Sequence, residues 1–282
     1  LYNLFIMDKN KKTTSTKTNS SKRRVTYKKP EKNSVTGNNT RTVKIPDSDN
    51  IRIIPLGGFE EVGKNMIAIE YKNDIVVFDA GVQFTSEEST PGIDYILPNT
   101  RYLEERKSKI KGIIITHGHL DHIGGIPFIM ERIGNPPLHG SYLTTLMIKK
   151  RMEEFPTKPK IDYREIEAGE KITLGNLKIK FFPVTHSIPG ALGASIETPQ
   201  GNIVITGDLK LEHDEGIPSE KELATWTELS KDKNLLLIAD STNVEKPGYS
   251  MPEKIVYDSI EQIIKNTNGR LIIGTFASQF ER

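Results

Sequence analysis

Short runs of β-branched and aromatic residues recur along the chain from residue 51, and each run ends in a polar or glycine-containing loop. Runs of this length between turn signals are typical of buried strands. The predicted strands are 51–56, 66–71, 74–78, 112–115, 178–184, 193–198, 202–206, 234–239 and 270–274. Residues 161–179 have the texture of a β meander, so the pattern favours a fold built mainly on sheets.

Four segments are predicted to be helices, and in the last two of them apolar residues recur at the spacing of one helix face. They are 101–107, 123–133, 141–155 and 254–265. In the third segment, Leu143, Leu146, Met147 and Met152 are expected to face the core. The basic trio Lys149–Arg151 is expected to form a solvated helix end.

Several predicted strands are followed directly by a histidine or an aspartate. Asp79 follows 74–78, His186 follows 178–184, Asp208 follows 202–206 and Asp240 follows 234–239. Strands that end in this way can bring their polar groups together along one edge of a layered sheet. A scatter of unrelated buried acids is the alternative interpretation.

The segment Thr116–Gly125, THGHLDHIGG, has the highest density of metal-binding side chains in the chain. It places His117, His119, Asp121 and His122 directly after a short apolar run. Neutral imidazole and carboxylate are suitable ligands for Zn²⁺ and related transition metals. The spacing crowds four groups around one ion, so two adjacent ions share the loop more easily. A histidine-rich surface loop without ligands is the alternative.

Charge is distributed unevenly along the 282 residues, whose formal net charge is +2. Residues 1–50 carry 12 Lys+Arg and 4 Asp+Glu, so the rest of the chain is net acidic. Residues 1–49 are predicted to be a disordered basic leader, since they lack the apolar residues that offset the entropy of ordering. The leader either only improves solubility or attracts RNA phosphates through Lys22–Arg24 and Lys28–Lys29.

The chain contains no cysteine, which excludes both a disulfide framework and a thiolate metal site. This composition fits a reducing cytoplasm, where we expect the protein to be. No run approaches the roughly 18 apolar residues of a membrane span. The apolar opening LYNLFIM is too short for a secretory signal.

Four motifs resemble the leading motifs of the metallo-β-lactamase superfamily. They are FDAG at Phe78–Gly81, THGHLDHIGG, VTHSIPGALG at Val184–Gly193 and TGDLK at Thr206–Lys210. Further blocks are similar to the ribonuclease J family of the β-CASP branch: PLGGFEEVGKNM at 55–66, PGIDYILPNTRYLEE at 91–105, ADSTNVEKPGYS at 239–250 and GTFASQFER at 274–282. The resemblance runs from about residue 51 to the last residue.

The resemblance implies an α+β fold, the four-layer αββα sandwich of the metallo-β-lactamases. Residues 50–240 are assigned to the first part of this domain and 241–282 to the beginning of a β-CASP domain. We therefore expect the N-terminal portion of a longer protein, with an incomplete sandwich. An incomplete sandwich is expected to expose a sheet edge and apolar surface.

The resemblance also implies roles for individual residues. His117, His119 and His186 correspond to ligands of a first metal ion, Asp121 and His122 to ligands of a second, and the carboxylate of Asp208 bridges the two. Asp79 supports the ligand loop without binding metal. Asp121, Asp208 and Asp240 are the expected catalytic residues, although Asp240 could instead only cap the following turn. The second ion lacks one ligand, because the corresponding family histidine lies downstream of the β-CASP domain.

By resemblance, the complete enzyme is a metal-dependent ribonuclease that cleaves RNA as a 5′→3′ exonuclease and an endonuclease in RNA processing and decay. Two divalent ions are expected, with Zn²⁺ preferred to Mn²⁺. The expected partners are single-stranded RNA with a 5′-monophosphate, a second copy of the full-length protein and components of an RNA-decay complex, with no membrane. The alternatives are a small-molecule hydrolase of the glyoxalase II or lactonase type and an inactive RNA-binding fragment.

Overall fold

The structure, a computed structural model, describes residues 2–6, 49–85, 90–157 and 159–274. Its strands in chain order are β1 Tyr2–Ile6, β2 Arg52–Gly57, β3 Met66–Tyr71, β4 Asp74–Phe78, β5 Gln83–Phe84, β6 Tyr95–Ile96, β7 Ile110–Ile114, β8 Leu138–Gly140, β9 Tyr163–Glu165, β10 Lys171–Leu174, β11 Leu177–Pro183, β12 Leu192–Glu197, β13 Asn202–Ile205, β14 His213–Asp214, β15 Ile217–Pro218 and β16 Asn234–Asp240. The α-helices are α1 Arg101–Glu104, α2 Leu120–Ile123, α3 Ile126–Ile129, α4 Tyr142–Met152, α5 Glu220–Ser230 and α6 Glu253–Asn266, and a 3₁₀ turn covers Lys107–Lys109.

Two six-stranded sheets form the body of the fold. The first has the order β2-β3-β4-β7-β8-β9, antiparallel from β2 to β4 and parallel from β4 to β9. The second has the order β1-β16-β13-β12-β11-β10 and is antiparallel except for the parallel pair β13–β16. The hairpins β5–β6 and β14–β15 lie outside these sheets.

Alternation along the strands divides the apolar side chains between three layers of core. In β3, Ile67 and Ile69 join the core between the sheets, whereas Met66 and Ala68 join the cluster beneath the first group of helices. On the outer face of the second sheet, Phe182 and Val204 pack with α5. The predicted four-layer α+β sandwich is confirmed by this arrangement.

The segment predicted as one helix over 123–133 is instead two short helices, α2 and α3. Pro127 lies in the first turn of α3. Proline has no backbone N–H to donate to the carbonyl of Ile123, so the α-helical ladder cannot continue from α2. Gly124 and Gly125 fill the gap, where the N–H of Gly125 donates to the carbonyl of Ala80 (2.8 Å).

The buried face of α4 differs from the predicted one. Thr144, Thr145 and Ile148 are buried together with Met152, whereas Leu146 is exposed. The threonine hydroxyls are satisfied locally: Oγ1 of Thr145 donates to the carbonyl of Tyr142 (2.7 Å), and Oγ1 of Thr144 pairs with Oγ of Ser141 (2.9 Å). Once its hydroxyl is satisfied, threonine can occupy a core position that the apolar pattern does not reveal.

Arg151 was expected to be solvated with Lys149 and Lys150, but it is buried. Its guanidinium lies 4.8 Å from the ring centroid of Phe155 and 5.3 Å from that of Tyr95. Its Nη1 also pairs with Glu154. These cation–π contacts offset the loss of hydration that burial imposes on the charge.

Residues 161–179 do not form a single meander. β9 pairs with β8 in the first sheet, whereas β10 and β11 belong to the second sheet, so the chain crosses between sheets around Ile166. Residues 270–274, predicted as a strand, have no regular structure. The last part of the proposed β-CASP segment, 275–282, lies outside the described residues.

The N-terminal strand β1 falls within the range 1–49 that was expected to be disordered. It pairs antiparallel with β16, Leu4 opposite Ile238. The strand β16 therefore has neighbours on both sides, β13 and β1, and β1 is an edge strand of the second sheet. Residues 7–48 of the predicted leader lie outside the described residues. No helix among the described residues has the length and apolarity needed to cross a membrane.

The two sheets are joined by hydrogen bonds at opposite ends of their strands. At one end, Oδ2 of Asp74 accepts hydrogen bonds from the backbone N–H (2.8 Å) and Nδ2 (2.5 Å) of Asn176 in the β10–β11 turn. At the other end, the N–H of Leu192 donates to the carbonyl of Thr116 (2.9 Å). These contacts bind the layers to each other independently of their apolar packing.

A buried carboxylate in the first sheet is neutralised by neighbouring cations. Glu70 is 1% exposed and pairs with Nη2 of Arg52 (3.0 Å) and with Nζ of Lys109 (3.7 Å). The hydroxyl of Tyr102 donates to its second oxygen. Burial, followed by the hydrogen bond and charge of Glu70, raises the pKa of Tyr102 to about 12.

We predict that the free energy of unfolding falls less steeply with rising alkaline pH in Tyr102→Phe than in the wild type. The raised pKa means that Tyr102 stabilises the fold fully below about pH 10, its unfolded value, and that this contribution is lost as pH rises towards 12. Urea unfolding between pH 9 and 12 measures the difference, with Tyr142→Phe, an exposed tyrosine on α4, as control. Parallel alkaline profiles for the wild type and Tyr102→Phe would contradict the prediction.

Candidate metal centre

Four strands deliver polar side chains to one edge of the sandwich. Asp79 comes directly after β4, and the loop beginning at Thr116 follows β7, its parallel neighbour. From the second sheet, His186 lies three residues beyond β11 and Asp208 three residues beyond β13. The backbone N–H of Asp79 donates to the carbonyl of Ile114 (2.9 Å), which fixes the first two connections side by side.

Three imidazole nitrogens converge at this edge. Nδ1 of His119 lies 3.0 Å from Nε2 of His117 and 3.1 Å from Nε2 of His186. Three ligands of a tetrahedral Zn²⁺ stand about 3.3 Å apart when each Zn–N bond is about 2.05 Å. The three nitrogens therefore have nearly the spacing that a single ion requires.

A second group of donors lies beside the first and is centred on His122. Its Nε2 lies 3.2 Å from Oδ1 of Asp208 and 3.5 Å from Oδ2 of Asp121. The other oxygen of Asp208 lies 3.9 Å from Nε2 of His186. The carboxylate of Asp208 thus faces both groups of ligands. Donor atoms of His117, His122 and Asp208 lie within 4.8 Å of one another.

Asp79 and Thr116 support this arrangement from behind. Oδ2 of Asp79 lies 2.8 Å from Nδ1 of His122, and Oδ1 accepts a hydrogen bond from the N–H of Thr116 (2.8 Å). Oγ1 of Thr116 is within 3.1 Å of both Asp79 oxygens and of Nδ1 of His117. With Nδ1 of His122 directed at Asp79, its Nε2 faces Asp208 and is the ring atom available to a metal ion.

The electrostatics of the two groups differ. Burial lowers the pKa of His117 and His119, and it lowers that of His186 to about 4, so these rings are neutral. Burial also opposes charge on His122, but Asp208 and Asp79 outweigh it and hold the pKa of His122 well above its usual value. Burial likewise opposes ionisation of Asp208, yet His122 keeps the pKa of that carboxyl below its usual range.

The donor set fits divalent metal ions. Three neutral imidazoles whose nitrogens face one another can each direct a lone pair to a shared point, where a cation satisfies all three at once. The second group, where two carboxylates raise the pKa of a buried imidazole, favours positive charge at the same place. Histidine nitrogen and aspartate oxygen are both usual ligands of Zn²⁺ and its neighbours.

Asp240 lies at the end of β16 outside these donor groups. Its Oδ1 accepts hydrogen bonds from the N–H (2.8 Å) and Oγ1 (2.7 Å) of Thr242, and its Oδ2 accepts from the N–H of Leu209 (3.3 Å). The two contacts with Thr242 are those expected if Asp240 only caps the turn that follows β16. Asp240 nevertheless lies close enough to His186 for its charge to raise the pKa of that ring, against the larger effect of burial.

The two remaining histidines lie apart from the cluster. His139 is 4% exposed on β8 and has no hydrogen-bond partner among the described residues. His213 lies in the β14–β15 hairpin, where its Nδ1 accepts from the N–H of Gly216 (3.2 Å) and its Nε2 lies 2.8 Å from the carbonyl of Ser250. Neither belongs to a group of metal-binding donors in the described part of the chain.

Two residues of the centre were not identified from the sequence. Thr116 could have been suspected only because it directly precedes the histidine loop. Asn65 ends the glycine loop that begins at Gly57. Its backbone N–H donates to the carbonyl of Asp121 (3.0 Å). An asparagine at a loop end gives no signal of this contact, since most such residues only terminate turns.

A family model described as the metallo-beta-lactamase superfamily matches residues 60–250, which include every proposed ligand. The chain belongs to this superfamily, whose fold implies divalent metal ions.

Within it, the chain is 38% identical over 232 residues to Ribonuclease J 1 of Streptococcus pyogenes, covering 82% of this chain and 41% of that protein. It is 39% identical over 240 residues to Ribonuclease J of Thermus thermophilus, covering 83% and 42%. The chain therefore spans less than half the length of these curated relatives.

Among solved structures, a protein of unknown function from Enterococcus faecalis V583 is similar in fold. The TM-score is 0.57 at 18% identity, with coverage of 81% of this chain and 61% of the other. At this identity the likeness bears on the fold alone.

We predict that Asp79→Asn weakens metal binding by about ten- to a hundredfold, because the neutral amide no longer holds the His122 proton with a charged acceptor. Titration of the chelator-treated protein with Zn²⁺ against a chromogenic chelator measures this loss. Asp162→Asn, which alters an exposed carboxylate paired with Arg164, serves as control. Equal Zn²⁺ affinity in Asp79→Asn and the wild type would show that the contact has no such role.

Proposed function

We propose that this chain carries the metal centre of a ribonuclease of the J type, which hydrolyses RNA phosphodiester bonds with two divalent ions. The observation that carries the proposal is 38–39% identity to two proteins named ribonuclease J over more than four fifths of the chain. The converging donors at the sheet edge support it, since phosphodiester hydrolysis commonly uses paired metals. We further propose Zn²⁺ as the native metal and the β-CASP branch as the closer affiliation.

In this proposal His117, His119 and His186 bind the first ion, and Asp121 and His122 bind the second. Asp208 would contribute to both sites, since its two oxygens face His122 and His186 separately. When bound, the ions would activate a water molecule as nucleophile and neutralise charge on the phosphoryl oxygens.

The chain's own residues have to control protons around that chemistry. Asp79 keeps the His122 proton on Nδ1, so that Nε2 remains available as a ligand. Asp121, whose side chain is 31% exposed, is the group best placed to accept a proton at the open side of the centre. Asp240 assists proton transfer only if it releases its hydrogen bonds to Thr242.

The proposed substrate is single-stranded RNA with a 5′-monophosphate, cut by 5′→3′ exonuclease and endonuclease action during RNA processing and decay. The absence of cysteine is consistent with a cytoplasmic site of action. Association with a second copy and with other RNA-decay proteins belongs to the same proposal. Because the relatives are more than twice the matched length, these activities are proposed for the longest natural form of the protein.

We predict that Asp208→Ala reduces metal-dependent RNA cleavage to the background level, because the substitution removes the carboxylate that faces both ligand groups. The assay uses 5′-monophosphorylated, 3′-labelled RNA with Zn²⁺ or Mn²⁺, and compares this chain with the longest natural form. Asp214→Ala, which alters an exposed carboxylate in the β14–β15 hairpin, is the matched control and should cleave like the wild type.

Undiminished cleavage by Asp208→Ala would exclude the two-metal assignment. Failure of every wild-type form to cut RNA, together with hydrolysis of a thioester or lactone, would instead indicate a small-molecule hydrolase of the same superfamily.

A further inference from the structure

The side chain of Asn65 is enclosed between the glycine loop and the histidine loop. Asn65 is 2% exposed. Its backbone is fixed on both sides, since its N–H donates to the carbonyl of Asp121 (3.0 Å) and its carbonyl accepts from the N–H of Gly81 (3.0 Å). The amide group at the end of the side chain therefore has a defined position relative to Asp121.

The amide nitrogen of Asn65 faces two of the proposed ligand atoms. Nδ2 lies 3.2 Å from Oδ2 of Asp121 and 3.0 Å from Nε2 of His122, and it also lies 3.1 Å from the carbonyl oxygen of Asp121. A carbonyl and a carboxylate can only accept hydrogen bonds, so the atom that faces them has to be the donor. This fixes the orientation of the amide.

The other end of the amide shows that the arrangement costs free energy. Oδ1 of Asn65 is buried and has no hydrogen-bond partner among the described residues. It points to Gly58, where a Cβ atom would lie 2.3 Å away. A buried acceptor without a partner is unfavourable, so a side chain that only filled space here would be better apolar. Within the described part of the chain, the side-chain contacts that offset this cost are those of Nδ2.

We propose that Asn65 is a positioning residue for the second metal site. Its amide nitrogen holds the Asp121 carboxylate beside Nε2 of His122. This carboxylate lies at the exposed side of the centre. The residue carries no charge, so it orients the Asp121 carboxylate without placing a second cation beside the site. This inference rests on the proposed two-metal centre and assigns a role that acts through Asp121.

The experiment uses the longest natural form of the protein, because the resemblance leaves the second site one ligand short within residues 1–282. Binding of Co²⁺ alone to the chelator-treated protein is followed by visible absorption. The variants are Asn65→Ala and Asn65→Ser; the serine side chain retains a hydroxyl in the loop but is too short to reach Asp121. Asn202→Ala is the matched control, because it removes another partly buried amide that donates to a neighbouring side chain, Ser195 (3.3 Å), away from the centre. Thermal unfolding of each metal-free protein is recorded in parallel.

We expect the wild type and Asn202→Ala to bind two equivalents of Co²⁺. Both Asn65 variants should retain the affinity for the first equivalent and bind the second about ten- to a hundredfold more weakly. If Asn65 has a purely structural role, its replacement lowers the unfolding temperature and weakens the binding of both Co²⁺ equivalents together.

Two results would overturn the inference alone: unchanged binding of both equivalents by the Asn65 variants, or equal weakening of both. A wild-type chain that binds fewer than two equivalents would overturn the two-metal centre itself. RNA cleavage does not enter this comparison, so the substrate proposal stands or fails separately. If Asn65→Ala does not fold, Asn65→Ser supplies the same test.

Discussion

The metal centre depends on the hydrogen bonds that the buried carboxylate of Asp79 makes with the histidine loop. Removing a carboxylate from water is costly unless it is paired and hydrogen-bonded, and Asp79 has the backbone and hydroxyl of Thr116 and the ring of His122 around it. Thr116 begins the histidine loop and His122 lies near its end, so the Asp79 side chain connects the two ends of this loop. Asp79 adopts a left-handed backbone conformation, φ 60°, which aspartate tolerates better than most residues.

Much of the architecture could be predicted from the sequence because its signals are local. Runs such as Met66–Tyr71 and Asp74–Phe78 are bounded by turn residues, and their strands have the predicted bounds. The grouping of His117, His119, His186 and Asp208 followed from strand ends that meet at one edge. Here the sequence pattern and the packing agree. A strand that is buried on both faces has no place for polar side chains along its length, so they come after its end.

Most of the features that were missed depend on partners distant in sequence. Nothing local indicates that β10 leaves the sheet of β9, because the choice between sheets is made by the apolar surface each strand buries. The break between α2 and α3 could have been predicted, since Pro127 is visible in the sequence. Thr116 and Asn65 could not, because each owes its position to a residue on another loop, Asp79 for the first and Asp121 for the second.

The fastening of the two sheets at both ends has a mechanical consequence. The Asp74–Asn176 contacts and the Thr116–Leu192 hydrogen bond lie at opposite ends of the strands, so sliding one sheet across the other would break both. Shear between the layers is therefore suppressed, and the ligand groups from the two sheets keep their separation. Under the proposed function, movement that admits RNA at this edge therefore falls to connecting segments such as the one after β13, and not to the sheets.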